Sequence, residues 1–179
     1  MITLDCSKKL QTFLGLENSK KPVEAEYQMY HWYASLFYLG GKKCLIFMNH
    51  STYFSFAIFN VKKSDMLHLD EIFINGFIKE LYRCDLIGEK QESILRSKKL
   101  SLNLQSSTNN KSVIGCTNNF IDAIKYFFIS SGISGYEFHN MKYFINETPV
   151  SPLGYRSPVE AMKNKFESFL KVMFTINLN

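Results

Sequence analysis

With 179 residues, 46% hydrophobic and 21% charged, the chain has the length of one domain and enough apolar side chains for a core, which excludes a disordered polypeptide. Its 21 Lys and Arg against 16 Asp and Glu leave a net charge of +5, which permits weak attraction to nucleic acid or anionic surfaces without demanding it. Cys6, Cys44, Cys84 and Cys116 are too scattered for a zinc pattern or a disulfide framework, and neither a signal peptide nor a bilayer-spanning run is evident, so a reduced, cytoplasmic, single-domain protein is expected.

In chain order, ITLDC alternates and is expected as a short edge strand. In SKKLQTFLGL, Leu10, Phe13 and Leu14 share a helical face, with Ser7 placed to cap the start and Gly15 near the end. ENSKKPVEAE, residues 17–26, reads as a polar surface connection. YHWYASLFYL, Gly40-Gly41 and KKCLIFMN predict two strands joined by a tight hairpin. After NHST, YFSFAIFNV predicts a third strand, in which Phe54, Phe56 and Ile58 alternate with Ser55 and Ala57. These runs are apolar on both faces. The expected fold is therefore α+β, an antiparallel sheet built on a three-strand meander at about residues 31–61 and covered by amphipathic helices.

The period then lengthens. Met66, Leu69, Phe73, Phe77 and Leu81 recur at helical spacing, with Asp65, Glu71, Asn75, Lys79 and Arg83 opposite them. GEKQESILRSKK predicts a shorter helix, and LSLNLQS a returning strand. Beyond the polar loop SSTNNKS, a helix is expected from Ser112 through Val113, Cys116, Phe120, Ile124 and Phe127, ending near SSGISG. EFHNMKYFIN predicts another helix that stops before Thr148-Pro149. Ser157, Pro158 and Glu160 then supply an N-cap, a first-turn proline and a capping-box glutamate for a helix carrying Met162, Phe166, Phe169 and Met173.

Catalytic signatures are missing: there is no HExxH, GxSxG, GxGxxG or phosphate-loop sequence. His31, His50, His68 and His139 are dispersed, so no metal and no cofactor are expected. Cys116 lies near a helix start, where a thiolate is favoured, but it also falls on the apolar stripe and reads as core. The best candidate site is TNNKSVIG, Thr108 to Gly115. There Lys111 and Ser112 can join helix-start N–H groups around a phosphate or carboxylate, flanked by Asn118 and Asp122. Plain capping by Ser112 is the competing reading. Arg156, in PLGYR, either faces the same cleft or braces its own loop. Trp32 and Tyr155 are candidate contact aromatics, with core packing the alternative for Trp32. The doublets Lys8-Lys9, Lys20-Lys21, Lys42-Lys43, Lys62-Lys63 and Lys98-Lys99 read as surface charge.

Five stretches in a shared order, ITLDCSKKL, HWYASL, CLIFMN, TNNKSVIGCTNNF and NETPVSPLGYRSPVE, resemble a family of small bacterial proteins classed as a domain of unknown function. The resemblance runs from the first residues to about Glu160. It implies a compact bacterial α+β domain and supplies no reaction. Ser35 stands where that family tends to have Asn, and Lys111 where it tends to have Arg, whose planar fork lysine lacks. LGYRSPVE is also similar to a segment of integrase-type transposases, but those enzymes need three metal-binding carboxylates, and Asp5 has no obvious partners in the sequence. The expectation is a non-enzymatic binding or regulatory protein of bacterial, mobile-element or defence-related origin, with a protein or nucleic acid as partner. The competing expectation is an enzyme for a phosphorylated or anionic small molecule, built on Lys111, Ser112, Asn118 and Arg156.

Overall fold

A computed structural model of the chain describes residues 1–16, 28–97, 100–130 and 145–175, with side chains to residue 170. The polar connection 17–26, the SSGISG helix end, most of EFHNMKYFIN and the Met173 side chain lie outside the described residues. The main elements are β1 (Ile2–Cys6), α1 (Lys8–Leu14), β2 (His31–Leu39), β3 (Lys42–Asn49), β4 (Ser55–Ile58), α2 (Leu69–Arg83), α3 (Glu89–Ser97), β5 (Leu102–Gln105), α4 (Lys111–Ser130) and α5 (Pro158–Thr175).

The five strands form one sheet in the order β4-β3-β2-β1-β5. The expected meander is present: β2 pairs antiparallel with β3, and β3 with β4. Gly40 and Gly41 close its hairpin at φ +54° and +76°, backbone angles that glycine adopts without a Cβ penalty. The rest of the sheet corrects the expectation, because β1 runs parallel to both β2 and β5 and the sheet is mixed. β1 is also not an edge. All five of its residues are buried, which suits a strand paired on both sides and covered on both faces.

Local chemistry sets the helix ends. Ser7 Oγ accepts from the Leu10 N–H at 3.4 Å, and Gly15 ends α1 in the left-handed region. Ser157 and Glu160 form the reciprocal capping box of α5: the Ser157 N–H donates to Glu160 Oε2, and the Glu160 N–H to Ser157 Oγ. Among the described residues, no helix is long and apolar enough to cross a membrane.

Strand alternation divides the core in two. On one face Trp32, Phe47, Phe54 and Phe56 meet Phe73 and Phe77 of α2, Leu95 of α3 and Phe169 of α5. Trp32 is 1% exposed, its ring lies 5.2 Å edge-on to both Phe73 and Phe77, and its N–H donates to the Met29 carbonyl. Trp32 is thus a core residue, which corrects the expectation of a contact aromatic and matches its core-packing alternative. On the other face Tyr33, Phe37, Ile46 and Met48 pack against Val113, Phe120, Ile121 and Ile124 of α4.

Candidate metal centre

Alternation along β1 sends Ile2, Leu4 and Cys6 to the aromatic face and leaves Asp5 on the α4 side, fully buried. Gln105 of β5 stands opposite it in register, and the Gln105 amide donates to Asp5 Oδ1 at 2.6 Å. The other carboxylate oxygen meets two histidines. His31, the first residue of β2, places Nε2 at 3.0 Å from Oδ2, and His50, just after β3, places Nε2 at 3.2 Å from the same atom. The two imidazoles stack with centroids 3.9 Å apart and planes 8° from parallel.

Backbone pairing explains why the histidines are neighbours. Trp32 and Asn49 are partners across the β2–β3 ladder, and the His50 N–H donates to the His31 carbonyl at 2.9 Å. Asn49, itself fully buried, ties the turn together. Its Oδ1 accepts from the N–H groups of Ser51 and Thr52, and its Nδ2 donates to the carbonyls of Met29 and His31.

Burial by itself would raise the Asp5 pKa, but the two imidazoles and the Gln105 amide outweigh it and hold the carboxyl well below the usual carboxylate range. The His50 ring nitrogen differs from its neighbours. It is buried, and apart from Oδ2 at 3.2 Å it has no polar partner among the described residues.

The three donor atoms lie within 4.8 Å of one another. Ligand atoms held at about 2.0–2.2 Å around one ion stand roughly 2.8–3.6 Å apart, from octahedral to tetrahedral arrangements, and the N–O separations of 3.0 and 3.2 Å fall within that range. Two imidazoles and a carboxylate suit zinc, iron, manganese or a related ion better than magnesium or calcium. Parallel rings aim their lone pairs side by side, so ligation requires one ring to turn. Gln105 would keep the carboxylate oriented by holding Oδ1 while Oδ2 faces the ion.

The residues singled out from the sequence fall elsewhere. Lys111, Ser112 and Asn118 are exposed on the first turns of α4, and no hydrogen bond or ion pair links them to one another or to Arg156 among the described residues. Asn110, not Ser112, caps the helix by accepting from the Val113 N–H, while Ser112 Oγ accepts from the Tyr53 hydroxyl at 3.0 Å. Arg156 Nε donates to the Leu153 carbonyl and its backbone bridges to Val150, so it braces its own loop. Tyr155 is exposed at φ +62° in that loop. Cys116 packs partly buried against the α4-side core, and burial raises its thiol pKa, the reverse of an activated nucleophile.

The dispersal of the histidines along the sequence was thus a poor guide, since two of the four converge on Asp5. The one signal available in the sequence was an ionisable residue in the strand ITLDC, at the position alternating with Leu4 and Cys6. A family model for a domain of unknown function, DUF6933, matches residues 3–161. The chain belongs to that family. The matched span includes Asp5, His31 and His50 and stops within the first turns of α5. No curated protein and no solved structure matches the chain.

Proposed function

We propose that this DUF6933 protein binds a divalent transition-metal ion through Asp5 Oδ2, His31 Nε2 and His50 Nε2. The observation that carries the reading is the convergence of two imidazole nitrogens on one oxygen of a fully buried carboxylate, all three donor atoms lying within 4.8 Å of one another. Three protein ligands leave coordination positions open, so the ion can take a further ligand from outside. Binding is favoured over the anion-processing enzyme, because Ser112 and Arg156 engage Tyr53 and Leu153 rather than a common ligand position.

The test is loading of the purified, metal-stripped chain with Zn(II), Mn(II) and Co(II) in turn, read by calorimetry and, for Co(II), by visible absorption. One equivalent per chain is expected for at least one ion. Asp5→Asn and His50→Ala should lower its affinity by at least tenfold while leaving the circular dichroism spectrum in place. Absence of stoichiometric binding, or binding that both variants retain, would overturn the proposal.

A further inference from the structure

A second region stands on the opposite side of the sheet, at its hairpin end. An open groove of about 560 Å³ lies between α1 and the β2–β3 hairpin, lined by Lys9, Thr12, Phe13, Leu36, Tyr38 and Lys63. Three of the lysine doublets that look like scattered surface charge in the sequence meet here. Lys43 and Lys63 hold their ammonium groups 5.6 and 5.2 Å from the centre of the Phe13 ring, and Lys63 also donates to the Phe13 carbonyl. The fold brings them together because the Val61 N–H bonds the Lys43 carbonyl, laying the chain after β4 along β3. Lys9 adds a third ammonium from α1.

No carboxylate lines the groove. Among the described residues, Lys9, Lys43 and Lys63 form no ion pair, and Asp65, the acid nearest Lys63 in the chain, accepts instead from the Lys62 N–H and the Ser64 hydroxyl. Tyr38, directly across the ladder from Lys43, is 51% exposed at the groove wall. Ammonium groups without a carboxylate partner next to an exposed aromatic ring complement a ligand that carries both phosphates and flat bases. A base can stack on the Tyr38 ring only if it is unpaired.

We infer that the groove binds single-stranded nucleic acid, with phosphates on Lys9, Lys43 and Lys63 and a base stacked on Tyr38. An acidic peptide would satisfy the lysines and leave the ring unused. The +5 net charge adds long-range attraction for the same ligand.

The test is fluorescence anisotropy of labelled oligo-dT and oligo-U of about 12 nucleotides at about 50 and 200 mM salt; three phosphate contacts predict roughly 20-fold weaker binding at the higher salt. The Lys9→Gln/Lys43→Gln double variant should reduce that salt effect to roughly threefold. Tyr38→Ala, a change at an exposed ring, should weaken binding roughly tenfold through lost stacking. His50→Ala should leave the binding intact, which separates this groove from the metal centre. Three results would overturn the inference: no salt-dependent binding, binding indifferent to both groove variants, or equal competition by a poly-glutamate peptide of matching charge.

Discussion

The two faces of the sheet use the same strands for opposite purposes. Trp32, Phe47 and Phe56 look one way into a nest of aromatic rings, where Phe47, Phe73 and Phe77 are fully buried. Asp5, Tyr33 and Ser35 look the other way, where the buried positions also include Thr3, Gln105, Thr108 and Thr117. A period of two lets one strand serve both faces. The aromatic face contributes burial and shape. The α4 face tolerates buried polar groups, among them Asp5 and Gln105 bonded to each other, and it is the face that carries the candidate metal centre.

The largest effect should come from emptying the aromatic face. Phe73 is fully buried, and its ring contacts those of Trp32, Phe47, Phe56 and Phe77. Phe73→Ala is expected to cost about 3–5 kcal/mol through lost burial and the cavity left behind. Urea denaturation gives that number directly. The protein that remains folded should keep the metal affinity of the parent. A parallel loss of affinity would mean that the two faces are not independent.

A smaller effect separates packing from helix propensity on the same face. Gly76 in α2 sits where an added Cβ would meet Ile58 Cδ1 at 2.7 Å and the Phe56 ring at 2.8 Å. In an exposed helix, Gly→Ala would stabilise by about 1 kcal/mol. Here the methyl group would have to displace β4 side chains in a filled core, an overpacking cost of about 1–3 kcal/mol. Gly76→Ala is therefore expected to lower the urea midpoint. A raised midpoint would show that this face is packed more loosely than the contacts imply.

What was legible in the sequence was what local chemistry decides. The Ser7 and Gly15 ends of α1, the glycine hairpin, the α2 stripe and the Ser157–Glu160 capping box each depend on residues a few positions apart. The parallel placement of β1 depends on pairings with β2 and β5 that no short window contains. The candidate metal centre escaped for the same reason. His31 and Asp5 are 26 residues apart, and only the β1–β2 register and the Asn49 turn bring His50 to them. Lys111, Ser112 and Arg156 drew notice because their local sequence is unusual, yet the structure gives Ser112 to Tyr53 and Arg156 to its own loop. The lysine doublets are a third case: each is ordinary alone, and only the fold brings one lysine from each of three of them to the groove beside Phe13.

The smallest predicted effect uses the cysteines, two on each face, as reporters of burial. Cys6 and Cys84 pack with the aromatic face, Cys44 and Cys116 with the α4 face. Burial pushes the Cys84 thiol up to about 12, with the nearby Glu80 carboxylate adding to the rise, whereas Cys116 is raised by burial alone. A folded-state pKa above the unfolded value near 9.0 gives stability that is complete below that value and fades as pH climbs toward the folded one. The urea midpoint should therefore fall as pH rises above about 9. Tyr33, whose pKa burial also raises, contributes to the same decline in every variant. Cys84→Ala should flatten the decline more than Cys116→Ala does, since its thiol is held further from its ordinary value. Equal slopes in the two variants would mean that the two faces exclude water from their thiols to the same extent, and the contrast between them would then rest on polarity rather than on packing.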